Sequence, residues 1–112
     1  MKSVYEPGRG DVIWLDLNPQ VGREQAGRRP VLVMSPKIYN QKAGLAVICP
    51  ITSTIKNYPY VVKIPDELKV SGVILSDQIK SLDWNARKAE YICKMPDIVF
   101  NTVIEKLNTL IQ

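Results

Sequence analysis

The sequence predicts a mainly β fold with α: a small, mostly antiparallel barrel or sheet covered by one C-terminal helix. Three observations predict it. Short apolar runs separated by Gly, Pro, Asn and Asp recur from Asp11 to Leu75, some alternating and some continuous, as half-buried and buried strands do. From Pro96 the period changes: Val99, Phe100, Val103, Ile104, Leu107, Leu110 and Ile111 recur at helical spacing, while Asp97, Asn101, Glu105 and Asn108 take the other side. The chain has 112 residues and is 46% hydrophobic, which suits one domain over residues 1–112 with one core.

Taken in order, Asp11-Val12-Ile13-Trp14-Leu15-Asp16-Leu17 alternates well enough for a strand and is stopped by Asn18-Pro19. Ile13, Leu15 and Leu17 share one face; Val12, Trp14 and Asp16 share the other, a partly polar face to be covered by a loop or a second subunit. Val31 to Ser35 is a second strand, ended by Pro36, and Lys37 to Lys42 gives a helical turn before Gly44. Leu45 to Ile51 is a third apolar strand, followed directly by the hydroxyls of Thr52, Ser53 and Thr54. Lys56-Asn57-Tyr58-Pro59 turns the chain, Tyr60 to Ile64 is strand-like, and Pro65 to Leu68 reads as a brief helical turn with proline first. Ser71-Gly72 opens Val73-Ile74-Leu75, and Asp77 to Asp83 reads as extended.

Composition narrows the function classes. No window approaches a membrane span and residues 1–10 lack a signal-peptide core, so a cytoplasmic protein is expected. Cys49 and Cys93 lack CxxC spacing and sit among apolar residues, which suits buried thiols rather than zinc ligands. No metal-ligand cluster and no cofactor motif stand out. The net charge of +4 is uneven: residues 1–56 carry Lys2, Arg9, Arg23, Arg28, Arg29, Lys37, Lys42 and Lys56 against Glu6, Asp11, Asp16 and Glu24, whereas residues 57–112 are balanced. That excess favours an anionic partner such as nucleic acid. With no histidine in the chain, imidazole acid–base chemistry is excluded.

The excess charge is concentrated around Gly22 to Pro36. Two glycines bracket the loop, and Arg28 and Arg29 stand directly before Pro30 and a buried strand. A rigid strand with two guanidiniums and the Glu24 carboxylate at its mouth can bind and strain a phosphodiester, because arginine presents a planar fork of donors to phosphate oxygens. A solvated hairpin tip has the same composition.

Several segments together decide between these. Gly10-Asp11-Val12-Ile13-Trp14, Glu24-Gln25-Ala26-Gly27-Arg28-Arg29-Pro30-Val31-Leu32-Val33, Pro50-Ile51-Thr52-Ser53-Thr54, Gly72-Val73 and Asp77-Gln78-Ile79-Lys80-Ser81-Leu82-Asp83 resemble the MazF/PemK family of toxin endoribonucleases over nearly the whole chain. No segment alone is specific, but their order and spacing are hard to produce by chance. The resemblance implies an SH3-like antiparallel β-barrel of the MazF/PemK/CcdB kind with a C-terminal helix, a homodimer, metal-free cleavage of single-stranded RNA and inhibition by a cognate acidic, MazE-like antitoxin.

Carried over by position, Arg29 matches the family's catalytic arginine before proline and Thr52 its second catalytic position. A guanidinium and a hydroxyl supply charge neutralisation and orientation well, and proton transfer poorly. Glu24 is the candidate base in the motif, or else a partner that positions Arg28 or Arg29. Arg28, Asn40, Lys56, Gln78 and Lys80 are the expected RNA contacts, since they lie in or beside the matching loops. Trp14 and Trp84 are stacking candidates or core, and Arg87 and Lys88 form a cationic run. In the PemK branch a histidine precedes the Glu-Gln pair and an arginine stands two before the Asp-Gln pair; here those positions hold Arg23 and Leu75. The match is therefore to the MazF branch, and Asp77 is expected to support the fold.

The implied products are a 2',3'-cyclic phosphate and a 5'-hydroxyl, cut at a short single-stranded motif that is expected to contain ACA, as in several relatives. Two rival readings differ in class. Toxins of the same fold poison DNA gyrase through a Trp-Gly-Ile end, whereas this chain ends Leu110-Ile111-Gln112. The other rival binds RNA without cutting it.

Overall fold

The computed structural model describes residues 5–18, 22, 25–54 and 57–112. Its elements are β1 (Asp11–Asp16), β2 (Arg28–Val33), α1 (Lys37–Ala43), β3 (Ala46–Thr52), β4 (Val61–Lys63), β5 (Val73–Leu75), a 3₁₀ turn (Ser76–Gln78), β6 (Lys80–Leu82), β7 (Glu90–Lys94) and α2 (Asp97–Ile111). The strands run antiparallel in the order β4-β5-β3-β2-β1-β7, with β6 also on β3.

The centre of the sheet is β3. One of its edges pairs with β2, and the other is shared end to end by β6 at Ala46–Ile48 and β5 at Ile51–Thr52. The resemblance implies a closed barrel; β4 and β7 instead end the strand order without pairing to each other, so the sheet is mainly antiparallel and not closed.

Alternation along β1, β2 and β3 feeds two cores. Val12, Leu32, Cys49 and Ile51 point to one side, where α2 lays Val99, Val103 and Leu107 over them. Ile13, Leu15, Val31, Val33 and Ile48 point to the other and pack with Trp84. Full burial of each such aliphatic chain is worth roughly 1.5–3 kcal/mol, so these three strands hold the molecule together. The expected partly polar face of β1 is thus split: Val12 is fully buried beneath the helix side, and Trp14 remains 39% exposed.

Two local readings change. Asp77 to Asp83 is not one extended run, because Ser76–Gln78 winds into a 3₁₀ turn before β6. The strand β7 carries no clear sequence signal: only Ile92 and Cys93 of Glu90–Lys94 are half-buried, and its pairing with β1 shifts register between Val12 and Ile13. The expected turn at Lys37 becomes the seven-residue helix α1, closed by Gly44 at φ 70° with its N–H on the Asn40 carbonyl.

Candidate active site

At the ends of β2 and β3 the candidate residues converge. Leu17 N–H donates to the Gly27 carbonyl at 2.9 Å and Gly27 N–H to Asn18 Oδ1 at 3.0 Å, which closes the neck of the loop that carries the charged motif. Gly27 sits at φ 79°, a left-handed conformation that a side chain would strain.

Arg29 follows in β2. Its Nε donates to the Ala26 carbonyl at 2.9 Å, which fixes the guanidinium over the loop end. Among the described residues its terminal nitrogens make no other hydrogen bond, so with respect to these residues their four N–H groups remain for an anion. The β2–β3 register pairs Val31 with Pro50 and Leu32 with Cys49. The last pair of this ladder, Val31 with Pro50, lies two residues from Arg29 on one strand and two from Thr52 on the other.

Thr52 ends β3 and is 2% exposed. Its Oγ1 accepts the Thr54 N–H at 3.2 Å, which leaves the hydroxyl proton to donate elsewhere. Behind it lies Gly72 at φ 112°, where a Cβ would stand 2.1 Å from the Thr52 carbonyl oxygen. Only glycine lets β5 approach this strand end.

The 3₁₀ turn abuts the same region. Gln78 Oε1 accepts the Gln25 N–H at 3.3 Å, and Tyr58 Oη donates to Asp77 Oδ1 at 2.9 Å. Burial first, then this hydrogen bond and the Asp77 charge, push the Tyr58 phenol up to about 12, so it stays a donor. Lys80 lies half-buried in β6. Two expected site residues, Glu24 and Lys56, lie outside the described residues.

Arg28 is exposed but already engaged: Nη2 donates to Glu90 Oε1 at 2.6 Å and to the Lys88 carbonyl at 2.7 Å. Arg87, expected as part of a cationic run, donates Nη1 to the Asp16 and Asn18 carbonyls at 2.9 Å each and so braces the β1 end. Beside Arg29 opens a cleft of about 480 Å³ lined by Trp14, Pro30, Ile51 and Val70, with Arg28 and Lys69 among its walls and no carboxylate among the described residues that line it. Trp14 is thus accessible there, whereas Trp84 is buried and donates to the Asn40 carbonyl.

The expected RNA contact at Asn40 is corrected. Its side chain is 0% exposed and its carboxamide binds the Pro7 and Ser35 carbonyls and the Ser35 hydroxyl. A buried amide with every group paired belongs to the interior. Sequence reasoning also missed the Tyr58–Asp77 and Arg28–Glu90 pairs, whose members are separated by 19 and 62 residues. Both thiols are free, Cys49 buried and Cys93 half-buried. Among the described residues, no helix is long and apolar enough to cross a membrane.

A family model described as PemK-like, MazF-like toxin of type II toxin-antitoxin system matches residues 8–111. The Escherichia coli (strain K12) protein named endoribonuclease toxin MazF is 40% identical over 111 residues, which cover 99% of each chain. The crystal structure of MazF (Form-I) from Deinococcus radiodurans aligns with a TM-score of 0.93 at 47% identity, over 96% of this chain and 98% of that one. The MazE–MazF (Form-II) crystal structure from the same organism aligns at 0.88 and 47% identity, over 96% of this chain and 97% of that one.

Proposed function

The chain belongs to the PemK/MazF-like family of type II toxin-antitoxin toxins, and from that membership we propose how it works as an endoribonuclease: it cleaves single-stranded RNA by attack of the substrate's own 2'-hydroxyl, leaving a 2',3'-cyclic phosphate and a 5'-hydroxyl. The observation that carries the mechanism is the state of Arg29, held at Nε by the Ala26 carbonyl and making no other hydrogen bond among the described residues, two residues beyond the last β2–β3 pair as Thr52 is on the facing strand.

Such a cleavage needs the 2'-oxygen in line with phosphorus, its proton removed, the charge on the phosphoryl oxygens neutralised and, as the bond from phosphorus to the 5'-oxygen breaks, a proton for that oxygen, which solvent water supplies. Arg29 supplies the charge, in a fork preset by its bond to Ala26, and does so without reorganising when charge develops. Thr52 orients a phosphate oxygen through the proton its hydroxyl still has to give. Glu24, one residue before Gln25, is the base for the 2'-hydroxyl. No step calls for a metal ion.

Lys56 and Lys80 hold the RNA backbone beside these groups, and Arg28 joins them on leaving Glu90. Unstacked bases expose their edges, so a shallow basic surface can select a short motif, and ACA is our candidate. The toxin acts as a cytoplasmic homodimer, to which the exposed Ile98, Leu110 and Ile111 of α2 offer apolar surface. Its antitoxin is an acidic MazE-like chain, for which the cleft at Trp14 offers apolar and cationic walls. The deciding experiment incubates purified toxin with a long unstructured RNA in EDTA and identifies both new ends. Discrete cuts with cyclic phosphate and 5'-hydroxyl ends, absent with Arg29→Ala, support the reading; intact RNA overturns it.

A further inference from the structure

The loop that carries Glu24 and the loop that follows Thr52 are far apart in sequence, yet both are tied to the same three residues. From one side, Gln78 Oε1 accepts the N–H of Gln25, the neighbour of Glu24. From the other, Asp77 Oδ1 accepts the Tyr58 hydroxyl, inside the connection from Thr52 to β4. Between them Ser76 is fully buried, and its N–H donates to the Tyr60 carbonyl at 3.1 Å, so the 3₁₀ turn is itself anchored to the sheet.

We propose that Asp77 and Gln78 are positioning residues: the 3₁₀ turn clasps both loops and sets the distance between Gln25 on one side and the strand end that bears Thr52 on the other. The inference rests on the cleavage mechanism above and gives Asp77 and Gln78 roles that act through Tyr58 and Gln25. In this reading the Gln78 oxygen serves a protein amide and is not a reader of bases. A carboxylate acceptor holds a phenol more firmly than a neutral one would, and the raised Tyr58 pKa keeps its proton in place throughout the neutral range. Short misplacements of either loop fall mainly on turnover, because a near-attack geometry tolerates little error.

The test is cleavage kinetics at saturating RNA, with the wild-type toxin alongside and folding of every variant checked by circular dichroism and Tm. Tyr58→Phe and Asp77→Ala each lower kcat about tenfold with KM within about threefold, and the double variant is no slower than the slower single one, as one shared contact requires. Asp77→Asn, which keeps an acceptor oxygen, recovers most of the loss. Gln78→Ala lowers kcat similarly, and Gln78→Glu, which keeps the oxygen for Gln25 but loses the amide donors, restores it. A kcat unchanged in all variants overturns the clasp, as does a loss confined to KM in both Gln78 variants. A loss above about a thousandfold in Asp77→Ala with Tyr58→Phe unaffected also overturns it, by placing Asp77 on the reacting atoms. Absence of cleavage by the wild type refutes the nuclease reading itself, which separates that failure from failure of the clasp.

Discussion

The indole N–H of Trp84 donates to the main-chain carbonyl of Asn40 at 2.9 Å, while the Asn40 carboxamide reaches the opposite way to the carbonyls of Pro7 at 2.9 Å and Ser35 at 3.1 Å. One buried residue of α1 thereby joins the segment before β1, the end of β2 and the segment after β6. Asn40→Ala leaves those carbonyls unpaired in the interior and is expected to cost about 2–3 kcal/mol by urea denaturation. RNA affinity of the folded fraction stays at the parent value, because the side chain meets no ligand.

Arg29 gives the opposite pattern. Arg29→Ala keeps the fold, since the side chain is half-buried and makes a single hydrogen bond among the described residues, and lowers kcat by at least about 100-fold. Arg29→Lys restores little, because an ammonium cannot hold the Ala26 carbonyl and still present two further donors in a plane. Single-turnover cleavage and the thermal midpoint, measured on the same preparations, separate the two effects.

Gly72→Ala is expected to cost about 3 kcal/mol or more. The left-handed φ disfavours any side chain, and the added carbon lands on the Thr52 carbonyl. As relief requires β5 to withdraw from the strand end that bears Thr52, activity of the folded variant falls as well; denaturation and kcat both report it.

High pH should unfold the protein through its buried thiol. Burial, with a smaller contribution from the Asp77 charge, pushes Cys49 from an ordinary 9.0 up to about 12. Between these values the unfolded chain has lost the proton and the folded one keeps it, so stability is full below pH 9 and falls as pH rises towards 12. Cys49→Ala removes that part of the slope. Denaturation series at pH 8, 9 and 10 test the sign, and alkylation at neutral pH is expected to reach the half-buried Cys93 well before Cys49.

Glu90 restrains Arg28. Because the pair is solvent-exposed, Glu90→Gln changes stability by less than about 1 kcal/mol. It frees a guanidinium for phosphate, so log affinity for single-stranded RNA should fall with log salt more steeply, by about 0.7. Fluorescence titrations at several salt concentrations measure the slope.

How far the sequence reveals all this depends on the range of each interaction. The strands β1, β2 and β3 and the helix α2 are legible because burial imprints a period on contiguous residues, as Ile13 and Leu15 or Val99 and Val103 show. The strand β7 is not, because an edge strand with exposed Glu90, Tyr91 and Lys94 carries no such period. The loop glycines are legible from composition alone. The fate of Asn40 and Arg28 is not, since each is decided by partners distant in sequence, Pro7 and Trp84 for one and Glu90 for the other. Motif matching brings Arg29 and Thr52 to notice; the bond to Ala26 that presets the guanidinium is visible only in the folded chain.

The shared edge of β3 bears on the timescales of the molecule. With β2 on one side and both β5 and β6 on the other, its amides are released to solvent only when several neighbours separate together. Hydrogen exchange should therefore be slowest along β3 and approach the global unfolding limit, while amides at Ser53 and Thr54, just beyond its end, exchange far sooner. A boundary between slowly and more rapidly exchanging protons then falls at Thr52, so substrate meets a rigid anvil with yielding surroundings.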